Sequence, residues 1–373
     1  MGSLYLASFA EIAGYIGYVV VAVLVLLLMI TVHEAGHFFA GKIFGFGIEE
    51  FAIGFGPKIY RKKTKSGEYF SVRALPLGGF CSFKGEDEEA AAPDSFNSKP
   101  PWQRIIVLIS GAFMNYVLAV VLIITMFGIY GQTALIAVDL VPTTEYSQEN
   151  LLQSKDVLLK ANGKNIYITT DLYNALNGKE KGELVEFTVR RKGEDVKVLI
   201  AMRENADFEN IEDMKTLYDV LGFAYSLDEN NNITEGGLYA TSVRFGFFQT
   251  IGKSFEYSFK LAGTVFTVIG QLLTGRLSIG SVGGTITTIG VTANAIKTGG
   301  MRYLLNIAGF IGVNLAVFNL LPVPALDGAR VIFCLIEWIF KKPVNRKVEA
   351  VIHTTGFVLI LLFAVLVDLQ RCF

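Results

Sequence analysis

Long apolar runs dominate the pattern of hydrophobic and polar positions along the chain. Four runs are predicted to cross a membrane, for which a helix needs about 20 largely apolar residues. They cover residues 15–32, 105–129, 304–321 and 354–367. The second run contains almost nothing polar except Ser110, Asn115 and Thr125. We predict helices throughout, because lipid cannot satisfy open backbone groups.

A further apolar segment, residues 245–273, has a different pattern. Its charged residues Lys253, Glu256 and Lys260 recur at helical spacing, which places them on one side of a helix. This is typical of an amphipathic helix at the membrane interface. A fifth membrane span is the alternative that the pattern leaves open.

The segment between the first two runs predicts a β-hairpin over about residues 48–80. Strand-like stretches at 50–55 and 68–75 flank the polar sequence RKKTKSG, which is turn-like. The bounding sequences GFGP and LPLGG place the hairpin against the end of the first span. A strand edge there would be able to pair with an extended peptide, and we expect a proline at Phe70 to disrupt that edge.

Residues 131–205 are predicted to form a small α+β domain. Asn162-Gly163 is a strong hairpin turn, the sequence DLYNALNGK favours a short helix with Asp171 near its start, and a second hairpin turns at 191–194. This order of elements resembles a PDZ domain, although Lys155-Asp156 stands where such domains usually carry Gly-Asp. A β-rich spacer is the alternative.

The composition agrees with a membrane protein. Hydrophobic residues make up 52% of the chain and charged residues 18%, whereas a soluble domain has about 25% charged residues. The predicted fold class is a polytopic α-helical membrane protein with four transmembrane helices, a membrane-associated β-hairpin and a PDZ-like α+β domain. The predicted parts are 1–130 with two spans and the hairpin, 131–205 with the PDZ-like domain, 206–300 with a linker and the amphipathic helix, and 301–373 with two spans.

The distribution of charge predicts the orientation in the membrane. Ten Lys or Arg residues lie between the first and second spans, none lies before the first span, and five lie between the third and fourth. The positive-inside rule places both basic segments in the cytoplasm. The hairpin is then cytoplasmic, and the termini and the PDZ-like domain are extracytoplasmic, in a multi-pass membrane protein.

Two classes of protein are disfavoured: nucleic-acid-binding proteins, and proteins built on a disulfide framework or a zinc ribbon. The net charge of −1 gives no reason to expect a nucleic-acid partner. The three cysteines, Cys81, Cys334 and Cys372, are scattered and odd in number, which favours free thiols over a disulfide framework or a zinc ribbon.

The sequence HEAGH, residues 33–37, ends the first apolar run. His33 and His37 are four apart, so both imidazoles lie on one face of a helix and suit a single metal ion. Glu34 adjoins the first histidine, where it can accept a proton from a water molecule that the metal activates. The alternative, two structural histidines, would leave these polar groups without partners in a membrane helix, at considerable cost.

A catalytic zinc needs three protein ligands and one open position. The third span is followed by NLLPVPALDGARV, in which Asp327 is the only acidic residue between 301 and 333. Pro322 and Pro324 break the helix before it, and a broken helix at membrane depth is tolerated where it lines a polar cavity. Asp327 is therefore predicted as the missing ligand, and a helix N-cap is its alternative role.

Taken together, HEAGH, NLLPVPALDG, FAIGFGP, LPLGGF and the PDZ-like insert resemble the bacterial site-2 protease family. The likeness covers nearly the whole chain and fits members with one PDZ domain. These are intramembrane zinc metalloproteases. The resemblance implies Zn²⁺ on His33, His37 and Asp327, with Glu34 as the catalytic general base.

The same resemblance implies two substrate-binding residues. Asn319 and Asn314 match family asparagines that contact substrate or the developing oxyanion, and hydrogen bonding between helices is their alternative role. Two positions depart from the family pattern: Ala329 follows Gly328 where a second Gly is frequent, and Thr285 stands where relatives usually have Pro. Neither departure removes a predicted metal ligand.

The expected activity is hydrolysis of peptide bonds within the membrane segments of single-span membrane proteins, such as anti-sigma factors or remnant signal peptides. Membrane lipid is the other expected partner, and the PDZ-like domain would admit substrates that another protease has trimmed. His353 is predicted to be a packing histidine.

Two other functions remain as alternatives. A catalytically silent adaptor would have lost a ligand or the glutamate. An ion transporter would show inverted repeats with matched broken helices.

Overall fold

The computed structural model divides the chain into two compact units, Met1–Met126 with Ile251–Phe373 and Phe127–Thr250. We call the first the helical unit and the second the sheet domain. The structure describes residues 9–86, 92–138, 152–208, 214–229, 232–278 and 283–370.

Long helices form the helical unit. They are α1 (Phe9–Ile43), α2 (Pro101–Tyr130), α5 (Phe247–Leu273), α6 (Thr285–Leu320), α7 (Asp327–Phe340) and α8 (Arg346–Gln370). Among the described residues, four helices are long and apolar enough to cross a membrane: Ile12–Ile43, Pro101–Tyr130, Thr285–Leu320 and Arg346–Leu369. These contain the four predicted runs almost entirely, so the prediction of four helices long and apolar enough to cross a membrane is confirmed.

Helix α5 packs on the bundle through small polar residues. Ser254 and Ser258 are fully buried, and the Ser258 and Tyr116 hydroxyls lie 2.9 Å apart in hydrogen-bonding contact. The opposite face exposes large aromatic residues, among them Phe248. The helix is therefore two-sided, and its predicted position at the membrane interface remains a prediction.

Two interruptions shape α6 and α7. Gly300 has non-helical torsion angles, φ 59° and ψ −144°, and divides α6 into two arms. The first arm, residues 285–299, falls in the segment predicted as a linker. The second arm ends at Leu320, and Ala325 has a φ of 79° just before α7 begins at Asp327. The predicted break before Asp327 is confirmed.

The predicted hairpin is present as β1 (Ile48–Lys63) and β2 (Tyr69–Phe83). The pairing is more extensive than a simple hairpin, because the first part of β1 has partners on both sides: Ala52 faces Phe80 and also Ser71. Phe70 likewise pairs with both Phe51 and Lys62. The prediction that Phe70 marks a free edge is therefore wrong, since Phe70 lies in the interior of the sheet.

The hairpin is fastened to the end of α1, as predicted. The Lys42 ammonium lies 2.9 Å from the buried carboxylate of Glu68. A Cβ atom on Gly41 would lie only 2.5 Å from the Phe83 ring, so the glycine permits close packing of the strand on the helix. The hairpin thus has a fixed place beside the HEAGH segment.

The sheet domain contains a twisted antiparallel sheet in the order β10-β3-β4-β6-β7, with β5 paired to β4. Helix α3 (Thr169–Leu176) and helix α4 (Met214–Leu221) pack on it, and β8 and β9 form a separate pair. The strands are β3 (Gln132–Ala137), β4 (Val157–Ala161), β5 (Lys164–Asn165), β6 (Leu184–Arg191), β7 (Glu194–Ala201), β8 (Tyr225–Leu227), β9 (Ile233–Gly236) and β10 (Leu238–Val243).

The local predictions within this domain hold. Asn162 and Gly163 both have positive φ and turn the first hairpin, and Asp171 accepts hydrogen bonds from the Tyr167 and Ile168 amides at the start of α3. Lys155 has a φ of 74°, the left-handed conformation that glycine adopts most easily. The backbone at Lys155 therefore takes a shape that suits the glycine usual in PDZ domains.

The end of the domain lies beyond the predicted boundary at residue 205. Strand β10 pairs with β3 along its whole length, from Leu238 with Ala137 to Val243 with Gln132. Buried residues of α4, including Leu217, share one core with Phe187. Much of the predicted linker is thus an integral part of this domain.

Candidate metal centre

Helix α1 places His33 and His37 one turn apart with their rings meeting edge to face. Both residues are less than a tenth exposed. The two Nε2 atoms lie 3.1 Å apart. On the far side of its ring, His37 donates its Nδ1 proton to the Val107 carbonyl of α2 over 2.8 Å. This bond fixes the tautomer and leaves the Nε2 lone pair directed into the site.

Asp327, the first residue of α7, brings a carboxylate to the same point. Its Oδ2 atom lies 3.1 Å from His33 Nε2 and 3.3 Å from His37 Nε2. That oxygen is buried, and no side chain of the described residues gives it a hydrogen bond of good geometry. The helix break before α7 is what lets Asp327 approach α1.

The three ligand atoms suit one zinc ion. They lie within 4.8 Å of one another, in the only such group of three metal-ligating residues among those described. Tetrahedral zinc with bonds of about 2.0–2.1 Å separates its ligand atoms by about 3.3 Å, and the observed separations of 3.1 to 3.3 Å match. Two imidazole nitrogens and a carboxylate oxygen this close together suit a bound cation.

Close packing of α1 on α2 supports this geometry. A Cβ atom on Gly36 would lie 2.3 Å from the Ser110 carbonyl oxygen, and one on Gly111 would lie 2.5 Å from His37 Nε2. Both glycines are therefore required for the two helices to approach at the site. The spacing of the two histidines alone does not reveal this requirement for small residues.

Two cavities lie beside His33, Glu34 and Asp327, and the first of them also reaches His37. The first, about 260 Å³, is lined by the strand segment Phe80–Phe83 of β2. The second, about 300 Å³, is lined by Asn115, Leu315 and Asn319 of α2 and α6. A larger polar cavity of about 490 Å³ also reaches Asp327, from the side of α8.

The two predicted substrate-binding asparagines are separated by the structure. Asn319 lies in the site, with its side-chain amide 3.4 Å from His33 Nδ1. Asn314 instead lines a different, largely apolar cavity of about 620 Å³ between α5, α6 and α8. Substrate contact by Asn319 is compatible with this placement, whereas the role of Asn314 remains a prediction away from the ligands.

Comparison with known proteins agrees with this geometry. The sequence model of peptidase family M50 matches residues 21–363, which is most of the 373-residue chain. The chain belongs to this family of site-2 proteases. The M50 match includes all three candidate ligands and both halves of the helical unit, so the resemblance noted in the sequence is confirmed.

Relatives of this M50 chain span its full length. A protein of Clostridium perfringens is 35% identical over 354 residues, covering 95% of this chain and 98% of the relative. One from Fusobacterium nucleatum is 30% identical, covering 94% and 97%, and RasP of Bacillus licheniformis is 27% identical, covering 95% and 99%. All three are named zinc metalloproteases. The chain is accordingly a zinc metalloprotease and a multi-pass membrane protein.

Sequence reasoning missed several residues that support the M50 site. His353 of α8 accepts a hydrogen bond from the Ala325 amide at Nδ1 over 3.1 Å, and so holds the loop that carries Asp327. Arg330 of α7 pairs with Glu86 at the end of the hairpin. These contacts join segments that are far apart in sequence, so no local sequence pattern predicts them.

Proposed function

We propose that this M50 protease hydrolyses peptide bonds within the membrane segments of single-span membrane proteins. His33, His37 and Asp327 would hold the zinc ion. The observation that carries the proposal is the convergence of these three ligand atoms on a membrane-spanning helix. From Tyr15 to His33 the helix rises about 27 Å at about 1.5 Å per residue, so the site lies near the far side of a hydrocarbon core of about 30 Å.

Glu34 and Asn319 lie near the candidate ligands and have separate roles in this reaction. When bound, zinc lowers the pKa of a water molecule to about 7 and polarises the scissile carbonyl. Glu34 lines both cavities beside the ligands, where its carboxylate can take the proton of the attacking water and deliver it to the leaving amine. Asn319 orients His33 and stands within reach of the substrate carbonyl.

Water must reach a site enclosed by apolar helices. The polar cavity between α2, α7 and α8 includes Asp327 and is lined by charged side chains, among them Arg104, Arg330 and Arg346. A cavity of about 490 Å³ with several charged side chains in its walls has room and polar partners for water molecules. We take it as the route for water, with the broken helix at Ala325 as one wall.

The substrate must be unwound before its peptide bonds are accessible. The segment Phe80–Phe83 pairs with β1 on one side and lines the first cavity beside Glu34. An extended substrate adding to this edge as a further strand would lie across the ligands. The free edge that was expected at Phe70 is thus proposed at Phe80–Phe83 instead.

The basic segments would determine the orientation of the protein in the membrane, and the sheet domain would control the access of substrates. The hairpin and the loop between α7 and α8 carry the excess of basic residues and would face the cytoplasm. The sheet domain would then be extracytoplasmic, where a PDZ-like fold would admit substrates already trimmed by another protease. Anti-sigma factors and remnant signal peptides are the substrate classes we propose.

A paired measurement tests the proposed activity. We would determine bound zinc and cleavage of a single-span model substrate for the purified parent and for Glu34→Gln. We expect zinc in both proteins and cleavage only in the parent, because the amide cannot accept the proton. Glu194→Gln, at an exposed turn of the sheet domain, is the matched control and should cleave like the parent. Equal cleavage by parent and Glu34→Gln would exclude the assigned role.

A cross-linking experiment tests the proposed substrate edge. In the Glu34→Gln background, which leaves substrate intact, a photoreactive side chain at Phe80 should cross-link to the substrate. The same group at Tyr60, on the opposite edge of the sheet and paired only with Val72, should not. Equal cross-linking at both positions would contradict strand addition at the Phe80 edge.

A further inference from the structure

Asn115 of α2 is a buried polar residue without partners. It is 1% exposed, and neither its side-chain nitrogen nor its oxygen has a hydrogen-bond partner among the described residues. Leaving a buried amide unpaired is costly, and more so in a membrane-spanning helix, where lipid offers no substitute. A group kept at such cost, and left unsatisfied by the fold, is expected to have a partner that the free protein lacks.

The side chain faces the catalytic cavity. Asn115 lines the cavity of about 300 Å³ that also contains His33, Glu34 and Asp327. It belongs to one stripe of α2: Val107 accepts the His37 hydrogen bond, Gly111 makes room for the histidine rings, and Asn115 follows at the same four-residue spacing. The whole stripe therefore faces the metal centre.

A purely structural role does not explain this asparagine. Structural use of Asn between membrane helices is visible elsewhere in the same bundle, where Asn306 accepts a hydrogen bond from Tyr257 over 3.2 Å. Asn115 makes no such bond, although it is the more deeply buried of the two. Its donor and acceptor are both free for a molecule that enters the cavity.

We infer that Asn115 binds the main chain of the unwound substrate beside the scissile bond. Its amide nitrogen would donate to a peptide carbonyl and its oxygen would accept from a peptide N–H, because a primary amide offers the same donor and acceptor pair as the peptide group it meets. This inference rests on the proposed function. The ligand class is an extended peptide backbone, whatever its side chains.

The position of Asn115 complements the strand edge. The cavity lined by Phe80–Phe83 and the cavity lined by Asn115 share His33, Glu34 and Asp327. A peptide that crosses the ligands would pair with the strand edge in one cavity and with Asn115 in the other. Its peptide groups, exposed by unwinding, would then be satisfied on both sides of the cleaved bond, which lowers the cost of unwinding in lipid.

Substitution of Asn115 separates substrate binding from folding. We would compare Asn115→Leu, which has a similar branched shape, and Asn115→Ala, which cannot overpack, with the parent and with Thr125→Val. Thr125 lies on an exposed part of the same helix and bonds only to its own turn through Val121. We expect both Asn115 variants to keep bound zinc and to melt at the parent temperature or above it, since an unsatisfied group is removed.

Kinetics and inhibitor binding provide the decisive readouts. We expect kcat/KM for the single-span substrate to fall about 10-fold to 100-fold in both Asn115 variants, as for loss of two hydrogen bonds. A peptidyl hydroxamate, which carries main-chain amides, should lose affinity to a similar extent, whereas acetohydroxamate, which reaches only the metal, should bind unchanged. Thr125→Val should match the parent in every measurement.

Other results would overturn the inference. Unchanged kcat/KM in Asn115→Leu and Asn115→Ala would show that the side chain does not bind substrate. A fall in kcat/KM that follows loss of zinc or of melting temperature would show a structural role. Failure of the proposed function itself is distinguishable, because it would appear as equal cleavage by the parent and Glu34→Gln.

Discussion

Two aspartates, one in each unit, have opposite surroundings. Asp156 in the sheet domain is 1% exposed, accepts the Gln153 amide over 2.8 Å, and is held by Arg191 through two bonds of 2.8 and 2.6 Å. Asp327 in the helical unit meets only two histidine rings, and no Lys or Arg of the described residues pairs with it.

This difference distinguishes buried polar groups whose partners belong to the fold from polar groups whose partner is a bound ligand. A buried carboxylate with a guanidinium partner is fully satisfied, and the hydrogen bonds that Arg191 donates to Asp156 raise the pKa of Arg191. We propose that Asp327 gains its remaining partner when a zinc ion binds between it and the two histidines. Asn115 belongs to the second group for the same reason, with a peptide rather than a metal as the missing partner.

The largest expected effect is loss of zinc on Asp327→Asn. Removal of the anionic ligand leaves two histidines, so bound zinc should fall to a small fraction of the parent and cleavage should drop by at least about 100-fold. The melting temperature of the zinc-free protein should not fall, because an unsatisfied charge has been removed. Metal analysis and calorimetry check both. Retention of full zinc would contradict the assignment.

The opposite outcome is expected for Asp156→Ala. This change removes the two hydrogen bonds that Arg191 donates to Asp156 in a largely buried position, which should destabilise the sheet domain by about 3 kcal/mol. Hydrogen exchange of the sheet amides measures the loss. Bound zinc per folded protein should remain at the parent level. If Asp156→Ala left exchange unchanged, the distinction between the two aspartates would not hold.

A smaller effect is expected for Gly36→Ala. The added Cβ would meet the Ser110 carbonyl at 2.3 Å, and overpacking of this kind costs about 1–3 kcal/mol. It would also move His33 and His37 relative to α2 and weaken zinc binding in a chelator titration. Gly17→Ala in the same helix, where nothing lies within 4 Å, should have no such effect. Equal zinc affinity in the two variants would contradict the close approach.

The smallest expected effect concerns pH and the hairpin. Glu50 is a satisfied carboxylate: burial acts to raise its pKa, but hydrogen bonds from Ser71 and Arg73 outweigh it and hold the pKa below the ordinary value of 4.5. Its stabilising contribution is therefore full above pH 4.5 and is lost as the pH falls through the lowered value.

Hydrogen exchange of the hairpin amides over this range should show that loss in the parent and not in Glu50→Gln. The expected contribution is below about 1 kcal/mol, because several of the paired cations are partly exposed. An identical pH dependence in the parent and the variant would show that the hydrogen bonds to the Glu50 carboxylate do not stabilise the hairpin.

Much of the candidate site was predictable, because the spacing of neighbouring residues indicates its chemistry. His33, Glu34 and His37 follow from one helical turn, and Asp327 follows from two prolines and the absence of any other carboxylate nearby. The turn at Asn162-Gly163 was predictable for the same reason. In each case a few neighbouring residues determine the geometry.

What could not be predicted depends on contacts between distant segments. β10 pairs with β3 across about a hundred residues, so the end of the sheet domain has no local signal. The double pairing of Phe70 is equally non-local. Asn115 appears in the sequence only as one polar residue in an apolar run, and its significance depends on which helix face meets α1.

The zinc X-ray absorption spectrum of the purified parent protein tests the central claim most directly. We predict nitrogen and oxygen neighbours only, at about 2.0–2.1 Å, with the outer-shell pattern of two imidazole rings. Cys81 lines the same cavity as His33 and Glu34 and would supply a sulfur ligand instead. A sulfur neighbour at about 2.3 Å, or a pattern of fewer than two imidazoles, would contradict zinc held by His33, His37 and Asp327.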